Sequence, residues 1–146
     1  MRGWVVIVAL GLALAPRADA ASGIGPEAVV DAFHAALAKG DTARAAALLA
    51  DDALIFEEGG AERSKAEYAA RHLPADAEFS KAVKAAMTRR ASQSAGGMAW
   101  VASVGRVSGA FHGKAIDRLT TETMILHRTN RGWRIMHVHW SSAAGR

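Results

Sequence analysis

The stretch that decides the fold is Gly132-Trp133-Arg134-Ile135-Met136-His137-Val138-His139-Trp140-Ser141-Ser142. Alternation along an extended chain places His137 and His139 on one face of a strand, and Val138 and Trp140 on the other. Both faces therefore carry large side chains with apolar surface. We expect this strand to lie in a sheet that is covered on both sides.

An export signal is predicted at the N-terminus. Arg2 gives a positive start, residues 4–15 form an apolar run, and Ala18-Asp19-Ala20 has the small-x-small pattern of a cleavage site. The run is shorter than the roughly 20 apolar residues that a membrane-spanning helix needs. We expect removal of residues 1–20 and a periplasmic or secreted protein with no remaining membrane attachment. A buried N-terminal helix is the alternative.

The composition bounds the remaining possibilities. The chain has 146 residues, no cysteine and a formal net charge of +4. An exported chain without disulfides must be stabilised by its core, and a chain of this length suits one domain. The only basic block is Arg89-Arg90, whereas a surface that binds nucleic acid needs clustered Lys and Arg. Nucleic acid is therefore not expected as a partner.

The first half of the mature chain has the signals of helices. A helix is predicted to begin at Pro26, with apolar residues at helical spacing, and to end at Gly40. Asp41 is predicted to cap a second helix. Ser64, with Glu three residues later, is typical of a capping box and predicts a helix over residues 65–73, which restarts after Pro74.

The second half reads as strands. Residues 53–57, 98–110, 119–128 and 133–142 are predicted strands, with a hairpin turn at residues 130–132. Residues 84–94 are ambiguous, since their composition favours helix, and the second half of this stretch is predicted as strand. Helices followed by a meander indicate an α+β domain over residues 26–142, preceded by a leader at 21–25 and followed by a tail at 143–146.

Three segments together resemble a known superfamily. They are Val30 to Asp41 (Val-x-x-Phe-x-x-Ala-Leu-x-x-Gly-Asp), Leu48 to Ala53, and the closing Gly-Trp-Arg-Ile-x-His-x-His-Trp-Ser. In this order they resemble the nuclear transport factor 2-like superfamily, in its SnoaL-like branch. The closing motif is also similar to the association domain of calcium/calmodulin-dependent kinase. The resemblance implies a cone-shaped α+β fold, with N-terminal helices packed on a curved antiparallel sheet, and a homodimer formed through that sheet.

The superfamily contains isomerases, dehydratases, cyclases, hydrolases and binding modules, so the fold does not give the function. Similarity to ketosteroid isomerase puts Glu57 at the position of the general base. It puts Phe33 and Met124 at the positions of the two hydrogen-bond donors, and neither side chain can donate. Steroid isomerase activity is therefore disfavoured. Met124 and Trp140 also fall where the kinase domain places arginines, which disfavours a carboxylate ligand.

A candidate pocket remains around Glu57. Phe33, Met124 and Trp140 are its expected apolar contacts. Burial of a carboxylate there would raise its pKa towards the range of a general base. The alternative is a strand-end carboxylate that pairs with Arg63 or Arg71.

Three further residues are candidates for the same pocket. Tyr68 and His72 lie four apart and would share a helix face, from which they could assist Glu57. Simple helix packing is the alternative for both. Glu122 either points into the cavity or pairs with Arg106 or Arg118.

A metal site is the least favoured prediction. His137 and His139 could share a metal ion if His127 or His112 supplied a third ligand. Structural histidines are the favoured interpretation.

Three functions stay open. The first is a binding domain that holds a small apolar or amphipathic molecule in the cone. The second is a lyase, isomerase or hydrolase that uses Glu57 as its base and needs no cofactor. The third is metal binding through His137 and His139.

Overall fold

The computed structural model describes residues 24–145. The predicted export signal lies outside the described residues. The elements, in chain order, are α1 (Pro26–Lys39), α2 (Thr42–Leu48), β1 (Leu49–Glu57), β2 (Gly60–Glu62), α3 (Lys65–Ala70), α4 (Leu73–Ala82), β3 (Val83–Ala95), β4 (Met98–Phe111), β5 (Lys114–Thr129) and β6 (Gly132–Ala144). The predicted α+β class is confirmed. No helix in residues 24–145 has the length and apolarity needed to cross a membrane.

α1 begins and ends where the sequence predicts, and α2 begins where it predicts. Gly40 ends α1 in the left-handed conformation at φ 74°, which glycine adopts without strain. The Asp41 side chain caps α2 by accepting a hydrogen bond of 2.9 Å from the backbone N–H of Arg44. A buried stripe along α1, which includes Val30, Phe33 and Leu37, faces the sheet.

All six strands form one sheet, in the order β2-β1-β6-β5-β4-β3. Neighbouring strands are antiparallel except β1 and β6, which are parallel. The prediction of an antiparallel sheet missed this pair. A parallel pair needs a long connection, and here everything between residues 57 and 132 supplies it.

Several strand boundaries also differ from the prediction. β1 begins at Leu49 rather than at residue 53, and β5 begins at Lys114 rather than at residue 119. The ambiguous residues 84–94 are strand throughout, inside β3, because pairing with β4 along its whole length overrides their helix propensity. β6 continues to Ala144, so the predicted tail begins within a strand.

The helix predicted over residues 65–73 is shorter than expected. Ser64 caps α3 as predicted, through a 3.1 Å bond from the backbone N–H of Glu67, but α3 ends at Ala70. His72 stands at the N-cap position of α4, without a capping hydrogen bond from its side chain, and α4 begins at Leu73. A continuous helix through Pro74 is opposed because Pro74 has no N–H to donate to the carbonyl oxygen of Ala70, and its ring would clash with that carbonyl group. Tyr68 and His72 therefore do not share a helix face.

The helices cover one half of the concave face of the sheet. The core there joins Phe33 from α1 to Val101, Met124, Leu126 and Ile135 from the strands, all with 0% exposure. The other half of the concave face is left open and forms the cavity described below.

The convex side of the sheet, called here the outer face, carries exposed apolar side chains. Leu54, His137, Ile125 and Trp100 are register partners across β1, β6, β5 and β4. Leu54 is 40% exposed and Trp100 is 39% exposed. The shared face predicted for the two histidines is present.

The rings of both histidines contact the ring of Phe56. The rings of His137 and His139 lie edge-on to Phe56, with centroids 5.0 and 6.4 Å away. The ring of His137 is also held by the backbone, since its Nδ1 lies 3.1 Å from the carbonyl oxygen of Leu54.

A pair of substitutions on β5 tests where the core lies. Leu126 is wholly buried, whereas Leu119 on the same strand is 42% exposed. We expect Leu126→Ala to lower the free energy of unfolding by about 2–5 kcal/mol, the range for leucine truncation in a core. Leu119→Ala should cost less than about 1 kcal/mol. Urea denaturation of both variants measures the difference, and equal losses would contradict the assignment of the two faces.

Candidate functional site

A cavity of about 930 Å³ opens between the uncovered half of the concave face and helices α1 and α4. This volume lies within the range of small-molecule sites. Its polar lining includes Asp31, His34, Glu57, Asp76 and Glu122. A smaller cavity of about 350 Å³ lies beside Gly40 and Pro74 and contains none of the predicted site residues.

One polar row crosses the concave face within this cavity. Glu57 on β1 is the register partner of Trp140 on β6, which pairs with Glu122 on β5. Glu122 pairs with Ser103 on β4, and Ser103 pairs with Arg90 on β3. Register partners point to the same face of a sheet. All five residues line the cavity, and we call them the concave row.

Glu57 is held at the end of its strand by a tight turn. It pairs with Gly60 on β2, so Glu58 and Gly59 form a two-residue hairpin loop. Their φ angles are 48° and 86°, and positive φ at both positions is the geometry of the favoured hairpin turn. The turn places Glu57 at the end of the concave row.

The environment of Glu57 opposes its ionisation. Glu57 is exposed to solvent in the open cavity, but the protein atoms around it partly bury its carboxyl group. This burial, together with the negative charges of Asp76 and Glu58, raises the pKa of Glu57 to about 7, although His72 partly offsets the effect. The pairing with Arg63 or Arg71 that the sequence left open does not occur among the described contacts of Glu57.

Asp76 is the second carboxyl group near Glu57, and it lies on α4. The Tyr68 hydroxyl donates a 2.6 Å hydrogen bond to Asp76 Oδ2. Burial raises the pKa of Asp76, against the opposing effects of the Tyr68 bond and His72. Burial and the charge of Asp76 also raise the pKa of Tyr68.

Tyr68 and His72 do not reach the cavity as the sequence predicted. Tyr68 is wholly buried and acts on the cavity only through Asp76. His72 bonds through its Nδ1 to the buried carboxyl group of Glu62 and does not line the cavity. The physical reason is the break between α3 and α4, which turns the two side chains in different directions.

Glu122 takes the first of its two predicted alternatives and points into the cavity. Its Oε2 accepts hydrogen bonds from Trp140 Nε1 at 2.7 Å and from His34 Nε2 at 2.8 Å. Burial works against ionisation, but these donors outweigh it, so the pKa of Glu122 lies below its ordinary value. Arg106 pairs with Asp117 instead.

Of the three apolar contacts predicted for the pocket, only Trp140 lies on its wall. Phe33 and Met124 are fully buried in the core. The ring of Phe33 stacks on the indole of Trp140, with centroids 6.3 Å apart and planes at 23°. Phe33 therefore supports the wall from behind, because it lies on the buried stripe of α1.

Sequence reasoning missed several polar residues of the cavity, among them His34, Asp31 and Arg90. Arg90 donates to Asp31 Oδ1 at 2.7 Å and to Ser103 Oγ at 3.2 Å. Asp31 and His34 are three apart on α1, at the edge of its apolar stripe, and that spacing was the available signal.

Within residues 24–145, no three His, Cys, Asp or Glu side chains are grouped so that they could hold a metal ion. The rings of His137 and His139 lie on the outer face, away from the cavity, with centroids 6.4 Å apart.

The raised pKa of Glu57 predicts a stability effect with a definite sign. The folded protein keeps the proton up to about pH 7, whereas the unfolded chain loses it near the ordinary glutamate pKa of 4.5. The stability of the folded state therefore falls as pH rises through this window. We expect Glu57→Gln to raise Tm above that of the wild type at about pH 8, and to change it little at about pH 4.5.

The control for this comparison is Asp52→Asn, an exposed carboxyl group on the same strand. Thermal melts at both pH values give the measurement. A Glu57→Gln variant that melts below the wild type at high pH would contradict the raised pKa.

The chain matches known proteins over nearly all of its described length. The family model of the SnoaL-like domain matches residues 27–145. A structure from Shewanella frigidimarina, provisionally named a ketosteroid isomerase, is 38% identical with a TM-score of 0.75, covering 78% of this chain and 92% of that one. No curated protein matches.

More distant structures share the fold alone. One from Xanthomonas campestris, provisionally named a calcium/calmodulin-dependent protein kinase II association domain, is 21% identical with a TM-score of 0.67, covering 80% of this chain and 84% of that one. A nuclear transport factor 2-like protein of unknown function from Pseudomonas putida is 18% identical with a TM-score of 0.66, covering 79% and 82%. The motifs in α1, β1 and β6 predicted the similarity to these proteins. The chain belongs to the family of SnoaL-like domains.

Proposed function

We propose that the cavity binds a small amphipathic molecule and that Glu57 removes a proton from it, in an isomerase or lyase reaction that needs no cofactor. The observation that carries this proposal is a carboxyl group in an open cavity with a pKa of about 7. The reaction is proposed to take place in the periplasm or outside the cell, as the predicted export signal implies.

The titration of Glu57 is what favours catalysis over binding alone. A general base works best when its pKa is close to the pH at which it operates. A carboxylate that served only as a ligand contact would gain from donors that hold it ionised, as Glu122 does. Environments that drive two carboxyl groups apart in pKa are typical of sites where the two have different roles.

The lining of the cavity favours an amphipathic ligand. Leu37, Phe79, Met87 and Val107 supply apolar surface, while the concave row supplies polar groups along one side. An apolar body would lie against the helices and β3, with its polar group towards the row. Apolar walls with few convergent polar groups are the usual form of small-molecule sites.

The similarity to the Shewanella frigidimarina structure also supports proton transfer, because that protein is provisionally named an isomerase. Steroid isomerase activity itself remains disfavoured. Phe33 and Met124 cannot donate hydrogen bonds, and both are buried away from the cavity.

Exchange of carbon-bound protons tests the base directly. We expect the wild type to accelerate exchange of the α-protons of small cyclic ketones in D2O, followed by ¹H NMR. Glu57→Gln should slow this exchange by about 10²-fold or more, the contribution of a general base. Asp52→Asn is the matched control and should keep the wild-type rate.

Two results would count against the proposal. An unchanged rate in Glu57→Gln would remove Glu57 as the base. Binding of ketones by the wild type without any exchange would leave the cavity as a binding site only.

We propose in addition that the outer face associates with the outer face of a second copy. Phe56 is 38% exposed and Trp100 is 39% exposed on this face, and exposed apolar surface of this kind marks interfaces. A two-fold axis would make the face its own partner. Structures of the same fold are named as association domains, which supports self-association.

Substitution of an exposed apolar residue on the outer face tests this association. We expect a wild-type dimer in size-exclusion chromatography with light scattering, and a monomer for Phe56→Glu, because a charge would be buried without a partner. Ala47→Glu, on the exposed side of α2, is the control and should stay dimeric. A monomeric wild type, or a dimeric Phe56→Glu, would exclude this interface.

A further inference from the structure

A base that removes a proton beside a carbonyl group needs a partner for the oxygen that gains the charge. The residues that the family resemblance puts at the donor positions, Phe33 and Met124, cannot fill this role. A polar side chain lies close to each in sequence, namely His34 on α1 and Glu122 on β5, two residues before Met124. Both line the cavity, and they are bonded to each other at 2.8 Å.

We propose that His34, held by Glu122, donates a hydrogen bond to the substrate oxygen, and that the substrate is therefore an enolisable carbonyl compound. This inference rests on the proposed role of Glu57 as the base. It adds the group that faces the oxygen and, through it, the chemical class of the substrate.

The concave row sets the distance between the base, Glu57, and the pair formed by His34 and Glu122. Glu57 and Glu122 lie on either side of Trp140, two strand spacings apart, which is roughly 10 Å between backbones. The indole between them is fixed by its bond to Glu122 and by the ring of Phe33 behind it. A small planar molecule on this indole would have Glu57 at one end and His34 at the other.

The hydrogen bonds around Glu122 decide which ring nitrogen of His34 is available. An ionised carboxylate only accepts, so His34 donates through Nε2. In the imidazolium form the ring keeps this bond and gains a second N–H at Nδ1. No described residue hydrogen-bonds to Nδ1. The side chain of His34 is 43% exposed and that of Glu122 is 9% exposed, so the ring lies between a buried carboxylate and the cavity.

The other charges near His34 are already paired. Asp31, one turn earlier on α1, accepts from Arg90 at 2.7 Å. Arg90 also contributes to the low pKa of Glu122 from β3. Glu122 is therefore the carboxylate that orients the ring. We assign His34 as the donor and Glu122 as its positioning residue.

The proton transfer balances with these groups alone. The Glu57 carboxylate takes the proton from the carbon beside the carbonyl group. The electron pair of that C–H bond forms a carbon–carbon double bond, and the carbonyl π pair moves to oxygen, which is bound by His34 Nδ1–H. Return of the proton from Glu57 to carbon, at the same or a conjugated position, reverses this flow and restores both side chains.

Binding of 2-naphthol, a planar mimic of an enol, tests the donor without turnover. Its emission distinguishes the neutral from the ionised form. We expect the wild type to bind it with part of the bound ligand ionised. His34→Gln should weaken binding by about tenfold and remove the ionised signal, since a charge-assisted hydrogen bond is lost.

Two further variants separate the roles. Glu122→Gln should retain binding of 2-naphthol but reduce the ionised fraction. The donor His34 is still present in this variant, but the carboxylate that orients its ring is lost. Glu57→Gln should bind 2-naphthol at least as well as the wild type, because a negative charge is removed from the cavity. His112→Gln, an exposed histidine in the turn after β4, is the matched control.

The exchange assay separates failure of this inference from failure of the proposed base. His34→Gln should slow ketone exchange by about 10²-fold, mainly through kcat. If Glu57→Gln slows exchange while His34→Gln changes neither exchange nor naphthol binding, the donor assignment is wrong and the base stands. If His34→Gln weakens naphthol binding but Glu57→Gln leaves exchange unchanged, the base is wrong and the donor stands. Failure of the wild type to bind 2-naphthol would also overturn the inference. If His34→Gln does not fold, His34→Asn is used in its place.

Discussion

The parallel register between β1 and β6 is the constraint on which the site depends. Ile55 pairs with Val138, and both are buried on the concave side at 1% and 0% exposure. Two residues further on, the same register pairs Glu57 with Trp140. A slip of one residue would turn all these side chains to the opposite face. Burial of Ile55 and Val138 in the core therefore also fixes the relative position of Glu57 and Trp140 in the cavity.

The same sheet gives its two cavity carboxylates opposite properties. Glu122 has two donors and is held ionised, whereas Glu57 has nearby negative charge and a pKa of about 7. The difference comes from neighbours rather than from burial, because burial opposes ionisation at both positions. Glu57 lowers the stability of the folded state above neutral pH. Groups that are activated for function commonly reduce the stability of the fold that holds them.

Much of the fold could be predicted because its signals are local. Alternation in residues 132–142 identified β6, and Gly40, Asp41 and Ser64 marked helix ends by their own hydrogen bonding and backbone preferences. The parallel pairing of β1 could not be predicted in this way, since it joins residues about 80 positions apart. Residues 84–94 were ambiguous because small and charged side chains do not alternate, and only pairing with β4 makes them a strand.

The site was predictable only in part, because local signals can be read from the sequence and contacts between distant residues cannot. Glu57 could be placed because similarity to ketosteroid isomerase puts it at the position of the general base, at the end of a short predicted strand. Tyr68 and His72 were placed on one helix face by spacing, and the break before Pro74 separates them. His34 carries no local signal of its role, which depends on Glu122 from β5, 88 residues later in the chain.

The division of roles between Glu57 and Glu122 is tested most directly by carboxyl-carbon NMR titration of both side chains in the wild-type protein. Glu57 is expected to titrate near pH 7 and Glu122 below the ordinary range of glutamate. Titration of Glu57 in the ordinary range, or a higher pKa for Glu122 than for Glu57, would contradict the proposed base and the electrostatic origin of its activation.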